Sequence, residues 1–483
     1  MPPTIRSASD ADRPSAANGL PILARYGIAL ALAALTLGVL ADRVLGLPAS
    51  MHVAEAGVSL FALCVLLTPS GRDLAFLGAT AILLVLVWMT ADDPGAVTLK
   101  GLDLAAFLMA FLIALGFLRD AAATSPLVGQ SGRYLVDQPP GRRYAALSLG
   151  GFLVGVILSY GVVTLLGAMI MRGVADSDPS VRAIREQRML AALVRGFSTL
   201  TLWAPTSVTM ALILALLPDL TWARQLPVGL GLVFALLTLG WLLDRWMWRR
   251  PLRPVAEGAK PDPGPIVRMA GLVGGVLAAV IVLSRFVTGD LVVAAMVTAP
   301  VFALGWIAWQ HLDPGSGFRS SAYVRRLRAI FTESLPAARS EVVVLGSAGM
   351  IGTCVIALVP IADVVTWLNG LGLPALVILA AMSASVVISA HLGVNPMVLV
   401  TLWGTATHSG LLAGTHSSLI GLALAAGWSL ALNTAPTCAS MLIISRLAGR
   451  TITEVGLRWN GLYSVMGWLT VVAYIGLLDA LWF

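Results

Sequence analysis

Charge is scarce in this chain. Asp, Glu, Lys and Arg make up 11% of its 483 residues, where soluble domains carry about 25%. With 58% hydrophobic residues and a mean hydropathy of +0.89, no water-soluble fold could bury so much apolar surface. A bilayer must solvate most of it. Lysine is nearly missing, with only Lys100 and Lys260. Neither sits in a Gly-x-x-x-x-Gly-Lys-[Ser/Thr] loop, which excludes P-loop nucleotide hydrolysis. No His-Glu-x-x-His zinc motif occurs. The three cysteines, Cys64, Cys354 and Cys438, lie inside apolar stretches. That leaves neither a disulfide framework nor a zinc spacing. Acids are few within the apolar runs: Glu55, Asp103, Asp290, Glu341 and Asp363 sit at or near segment ends. An ion site inside the bilayer is therefore expected to use hydroxyls and carbonyls.

What remains is a series of apolar segments at 26–46, 53–68, 74–91, 102–118, 145–171, 189–218, 226–247, 266–285, 290–310, 340–361, 374–412, 416–447 and 459–482. Crossing a hydrocarbon core takes about 20 such residues. The expected fold is all-α, a polytopic membrane protein of about 10–12 transmembrane helices with two repeats, re-entrant hairpins and broken helices. Residues 1–24 are polar and read as a cytoplasmic tail, and the following span as an uncleaved anchor. The net charge of +7 is almost all arginine. Arginines concentrate in 119–143, 172–188, 245–268, 319–339 and 446–458, which marks those loops as cytoplasmic. This is the signature of a bacterial-type inner (plasma) membrane protein with a cytoplasmic N-terminus, and no sign of nucleic-acid binding. The first two of these loops flank one apolar segment, Tyr144 to Met171, with five glycines. It reads either as a re-entrant hairpin or as a plain crossing.

The most informative pattern is duplicated. Gly-Phe-Ser-x-x-x-x-x-Ala-Pro-Thr-x-x-x-Met at Gly196–Met210 returns, with Trp for Phe, at Gly427–Met441. Proline inside an apolar helix removes a donor and clashes with the preceding turn, so each copy predicts a broken helix. The carbonyls near Thr201 and Leu432 are freed, and helix N-termini after the break suit an anion. In the first copy Ser198, Pro205, Thr206, Ser207 and Thr209 are the candidate substrate or ion contacts. In the second they are Asn433, Thr434, Pro436, Thr437 and Ser440, with Ser429 beside them. Arg195, just before the first copy, reads as a neutraliser of an anionic solute or as a snorkelling side chain. A second polar cluster begins at His391, continues through Asn395-Pro396 to His408, and ends near His416. Asn395 reads as a break lining the cavity, and His391 and His408 as candidate proton sites.

The division of the chain follows: tail 1–24, accessory helices 25–119, first repeat 120–247, linker 248–265, connecting helices 266–314 and second repeat 315–483. The linker carries Pro251, Pro254, Pro261, Pro263 and Pro265. A weaker match aligns Gly151-Phe-Leu-Val-Gly155 with Gly349-Met-Ile-Gly352 as the starts of the two repeats. Residues Phe318–Ala337, with Arg319, Arg325, Arg326 and Arg328, read as an amphipathic helix on the anionic cytoplasmic leaflet.

Asn433-Thr434-Ala435-Pro436-Thr437 resembles the Ser-Asn-Thr-type motifs of the ion transporter superfamily. This group includes divalent anion/sodium symporters, arsenite/citrate-type permeases and the large membrane subunits of TRAP transporters. Trp203-Ala204-Pro205-Thr206 departs from the pattern in lacking the asparagine. The resemblance implies inverted repeats with re-entrant hairpins around one substrate, elevator-type motion and a homodimer. Loop charge alone places the segments before both repeats on one side, which fits parallel repeats. The functional expectation is a secondary transporter of a small anionic organic solute, coupled to Na⁺ or H⁺, with membrane lipids as its surroundings. No enzyme activity and no resident cofactor are expected. Two other classes stay open: a non-transporting subunit of a larger membrane complex, and a lipid-modifying enzyme using His391, His408 and His416.

Overall fold

The computed structural model describes residues 21–68, 70–175, 178–248, 262–313 and 317–482. Most of the expected tail and linker lie outside the described residues. Helices α1 (Ile22–Leu45), α2 (Ala49–Leu67) and α3 (Gly71–Thr90) lead into the 30-residue α4 (Pro94–Ala123). The chain continues with α5 (Pro126–Val136), α6 (Pro140–Leu158), α7 (Gly161–Val174), α8 (Pro179–Ser198), α9 (Val208–Leu216) and α10 (Trp222–Met247). Then come α11 (Gly264–Leu283), α12 (Leu291–Gln310), α13 (Ser320–Ala329), α14 (Leu335–Ala337), α15 (Arg339–Leu358) and α16 (Ile361–Gly370). The last five are α17 (Ala375–His391), α18 (Pro396–His408), α19 (Ser417–Thr434), α20 (Ala439–Ala448) and α21 (Trp459–Trp482). A two-residue antiparallel ladder joins Leu312–Asp313 to Gly317–Phe318.

Among the described residues, 11 helices are long and apolar enough to cross a membrane. Several others are too short. At about 1.5 Å per residue, the 14-residue α7 and the 13-residue α18 cannot span a core about 30 Å thick. Each is the return arm of a hairpin, α6–α7 and α17–α18. The first hairpin turns at Ser159, whose φ of 48° is one of two positive values at non-glycine positions among the described residues. The second turns through Gly393, at φ 96°, a conformation glycine adopts without a Cβ penalty.

The helices from α4 to α10 recur in kind from α15 to α21: a long helix, a short one, a hairpin, a broken helix and a closing helix. Packing repeats as well. Gly196 of α8 meets the Ser148 carbonyl of α6, and Gly427 of α19 meets the Ser383 carbonyl of α17. Gly167 of α7 faces Leu447 of α20, while Gly404 of α18 faces Leu216 of α9. These last two contacts are one contact made twice, with the repeats exchanged.

The two broken helices run in opposite directions. Ser417, at the start of α19, donates to Asp219 O just after α9, at 3.5 Å. At the other end Arg450, beyond α20, lies 3.9 Å from Glu186 near the start of α8. The repeats are therefore inverted. This corrects the pairing of Gly151 with Gly349. Gly349 lies in α15, which packs along α4 and occupies the same place in its repeat. The true counterpart of α6 is α17. Matched elements thus begin at Pro94 and Arg339. The arginine-rich loop of the first repeat follows α4 and that of the second precedes α15, so both loops on one side are compatible with inversion.

Ion pairs fix that end of the bundle. Arg339 holds the fully buried Asp73 at 2.8 Å, and Ser340 Oγ donates to the same carboxylate at 2.8 Å. Arg119 near the end of α4 meets Glu341 at 3.0 Å. Cysteines placed singly at Arg172, Arg325 and Gly370, on a background lacking the native three, test the arrangement. Arg172 and Arg325 are expected to react with an impermeant thiol reagent only in inverted vesicles, and Gly370 only in intact cells. Labelling of Gly370 and Arg325 from the same side would contradict the inversion.

Candidate functional site

Each Ala-Pro-Thr motif opens its helix where the sequence places it. After Ser198 the backbone tightens into a 3-10 turn, Thr199–Leu202, a common way for a helix end to dispose of its last carbonyls. It then leaves helical geometry until Ser207, whose Oγ caps Met210 N at 3.1 Å and starts α9. In the second copy α19 ends at Thr434, and α20 begins at Ala439 after a Cys438 cap that offers no side-chain acceptor. Helices α7 and α18 start at the hairpin turns. Tyr160 leads α7 without a side-chain cap, and Asn395 Oδ1 accepts from Met397 N at 3.0 Å. Four helix N-termini therefore open inside the bundle, each carrying a partial positive charge.

Contacts gather these ends. Thr437 of the second break donates to Ala390 O, beside the second hairpin turn, at 2.9 Å. The ring of Tyr160, in the first hairpin, packs 5.1 Å from that of Phe197. Phe152 of α6 lies 5.1 Å from the ring of Trp203 in the first break.

At the crossing of α8 and α19 a hydroxyl–amide cluster is fully enclosed. Ser429 Oγ donates to Ser198 O at 2.9 Å, so the two serines of the duplicated motif meet. Thr201 Oγ lies 2.9 Å from Ser198 O and 3.2 Å from Ala425 O, with one proton to share between them. Asn433 Nδ2 is 2.8 Å from both Ser198 Oγ and Ser429 O. A carbonyl can only accept, so the atom facing Ser429 O is the amide nitrogen. Ser198 Oγ donates to Arg195 O at 3.0 Å and accepts here. The orientation of Asn433 is thereby fixed, and its Oδ1 is left buried with no partner among the described residues. Leaving such an acceptor empty costs about 1–3 kcal/mol. It is free to take a donor or a cation.

The structure joins only some of the sequence candidates. Ser198 and Asn433 belong to the buried cluster. Pro205 is buried, and Thr206 is half-buried near it. Thr209 is buried. Neither threonine makes a side-chain hydrogen bond among the described residues. Ser207 serves as the cap already described. Thr434 donates back to Leu430 O at 3.2 Å, and Pro436 and Thr437 are exposed. Ser440 donates to Leu432 O at 2.6 Å, so it occupies one lone pair of the carbonyl that Pro436 frees. Asn395 lies at the second hairpin turn, with no hydrogen bond to the Ser198–Asn433 cluster. His391 Nδ1 lies 2.9 Å from Val387 O, so Nδ1 carries the hydrogen of that bond, and Nε2 is buried with no partner among the described residues. His408 ends α18 and is exposed.

Arg195 takes neither of the roles expected of it. It is 4% exposed, and donates to Asn460 Oδ1 at 2.9 Å, Tyr144 OH at 3.3 Å and Trp459 O at 3.1 Å. Its guanidinium stacks 4.6 Å from the centre of the Tyr463 ring. It ties the first broken helix to α21 and reaches neither lipid nor an open cavity. Sequence reading also passed over Gln225, which is fully buried, and Trp203: among the described residues neither amide atom of Gln225 nor Trp203 Nε1 has a partner. A lone glutamine within an apolar span was the available signal.

Broken helices paired with hairpins across inverted repeats define an architecture used by helical membrane transporters. Among solved structures the chain is similar to the YdaH transporter of Alcanivorax borkumensis, described as having an unusual topology. The match has a TM-score of 0.55 at 16% identity and covers 85% of this chain and 98% of that one. At that identity the likeness shows the fold. No protein-family model and no curated protein matches the sequence.

Proposed function

We propose that this chain is a secondary active transporter of a small anionic organic solute, driven by Na⁺ or H⁺, and related to the ion transporter superfamily. The observation that carries the reading is the unpartnered, oriented Asn433 Oδ1 at the crossing of two inverted broken helices. An oxygen held there among hydroxyls and carbonyls suits a weakly held cation. The nearby N-termini of α7, α9, α18 and α20 suit an anion, and no carboxylate belongs to the cluster to oppose it. Proton coupling has its own support in Nε2 of His391, which is buried with no partner among the described residues. The breaks are the working parts of this proposal. Pro205→Ala and Pro436→Ala restore a backbone donor and let the helix close over the gap. Each variant is expected to insert at the normal level and to lose most of its uptake. Unchanged uptake in both would reduce the prolines to packing kinks.

A further inference from the structure

A second site lies away from the broken helices, where α5, α11, α12 and α13 meet. A cavity of about 990 Å³ opens there, lined among others by Gln130, Arg268, Trp306, Trp309, His311 and Arg326. Two guanidiniums line it, and its lining includes no acid among the described residues. Arg326 Nη2 donates to Asp120 O at 2.9 Å, while its Nε is buried without a partner. Arg268 makes one long internal bond, 3.3 Å to Gly264 O, which leaves its terminal nitrogens available. His311 Nδ1 is held by Ile307 O at 2.8 Å, so Nε2 is its free nitrogen. Asp120 lies near both Arg119 and Arg326 and offsets part of that charge.

The surroundings of the opening fit contact with a bilayer. Only 22% of the apolar span of α11 is buried inside the protein, and Trp309 at the cavity mouth is 74% exposed. Indole rings beside arginines, at a helix end flanked by arginine-rich segments, are what a headgroup-level boundary requires. Leu272 and Phe302 extend the wall deeper between α11 and α12. We infer that this cavity is a binding site for one anionic phospholipid, its phosphodiester held by Arg268 and Arg326 and an acyl chain laid against Leu272, Phe302 and Trp306. A zwitterionic lipid would bring its ammonium group toward the same two arginines and bind more weakly. A soluble anion would leave the apolar wall uncovered.

The test uses the full chain, purified and reconstituted in nanodiscs of phosphatidylcholine with or without phosphatidylglycerol. Native mass spectrometry is expected to find one phosphatidylglycerol retained in preference to phosphatidylcholine. The preference should fall about five-fold for each arginine removed, as expected for one basic side chain near an anionic headgroup. Arg268→Gln alone changes an exposed side chain and keeps the fold, and Arg268→Gln/Arg326→Gln should abolish the preference. Phosphatidylglycerol brominated in its acyl chains is expected to quench wild-type tryptophan fluorescence more than that of Trp309→Phe. Soluble glycerol phosphate is the control for source. If it displaces the retained lipid at low concentration, the site reads a free anion and the lipid assignment is overturned. Equal retention of both lipids, or full retention in the double variant, would also overturn it.

Discussion

Asn433→Leu is expected to weaken the apparent affinity for the coupling ion about 10- to 100-fold, the range for losing a hydrogen bond or ligand contact to a charged group. Leucine keeps much of the volume but removes both amide atoms, so Ser198 Oγ and Ser429 O lose a donor at the same time. Asn433→Asp separates the effects. It keeps an oxygen facing the gap but turns the atom beside Ser429 O, now 2.8 Å away, into an acceptor. Folding should suffer more in the aspartate variant, and ion affinity more in the leucine variant. Ion dependence of uptake, measured beside thermal stability in detergent, distinguishes them. A leucine variant with normal ion dependence would remove Asn433 from the site.

Gly196→Ala should produce the largest loss of folded protein. A methyl group there would collide with the Ser148 carbonyl, its Cα and its carbonyl carbon, all backbone atoms that cannot rotate away. Gly427→Ala meets the Ser383 carbonyl oxygen at 2.6 Å in the other repeat. Overpacking of this kind costs about 1–3 kcal/mol, occasionally more. Gly271→Ala in α11 has open space around it. It should be neutral or slightly stabilising, since alanine lowers the entropy of the unfolded chain. Thermal melting of the three variants should show two large drops and one small change. Similar melting temperatures for Gly196→Ala and Gly271→Ala would mean that the two helices do not cross at this distance.

How much of this was legible in the sequence depends on range. The broken helices were, because proline acts on its own turn and the motif at Gly196–Met210 recurs at Gly427–Met441. Crossing glycines were visible as letters but not as contacts, since Ser148 and Ser383 stand 48 and 44 residues before them. Inversion was not legible in loop charge, although the superfamily resemblance implied it. The short Gly151/Gly349 match paired a hairpin arm with a long helix, and loop charge cannot show whether a loop follows or precedes its repeat's long helix. Arg195 was misread because its partners Asn460, Trp459 and Tyr463 lie in the last helix, more than 260 residues away. Burial with a complete set of acceptors turns a cation that looks functional into a brace. Helix α8 also hides from composition. Arg182, Arg185 and Arg188 keep it out of the apolar spans, although its bidentate pair, Arg188 with Asp244 at 2.9 and 2.6 Å, lets it sit within the bundle.

Active transport into proteoliposomes tests the account most directly. Candidate organic anions are first ranked by how far each raises the melting temperature of the purified protein, because a ligand that binds the native state stabilises it. The best is then offered under an inward Na⁺ gradient at equal pH, and under an inward proton gradient without Na⁺. The account predicts accumulation above equilibrium under one of these gradients, lost in Pro436→Ala. Accumulation under the proton gradient alone, lost in His391→Gln, would assign the coupling to that imidazole. No accumulation under either gradient, for a solute shown to bind, would contradict secondary transport and leave the chain as a subunit of a larger membrane complex.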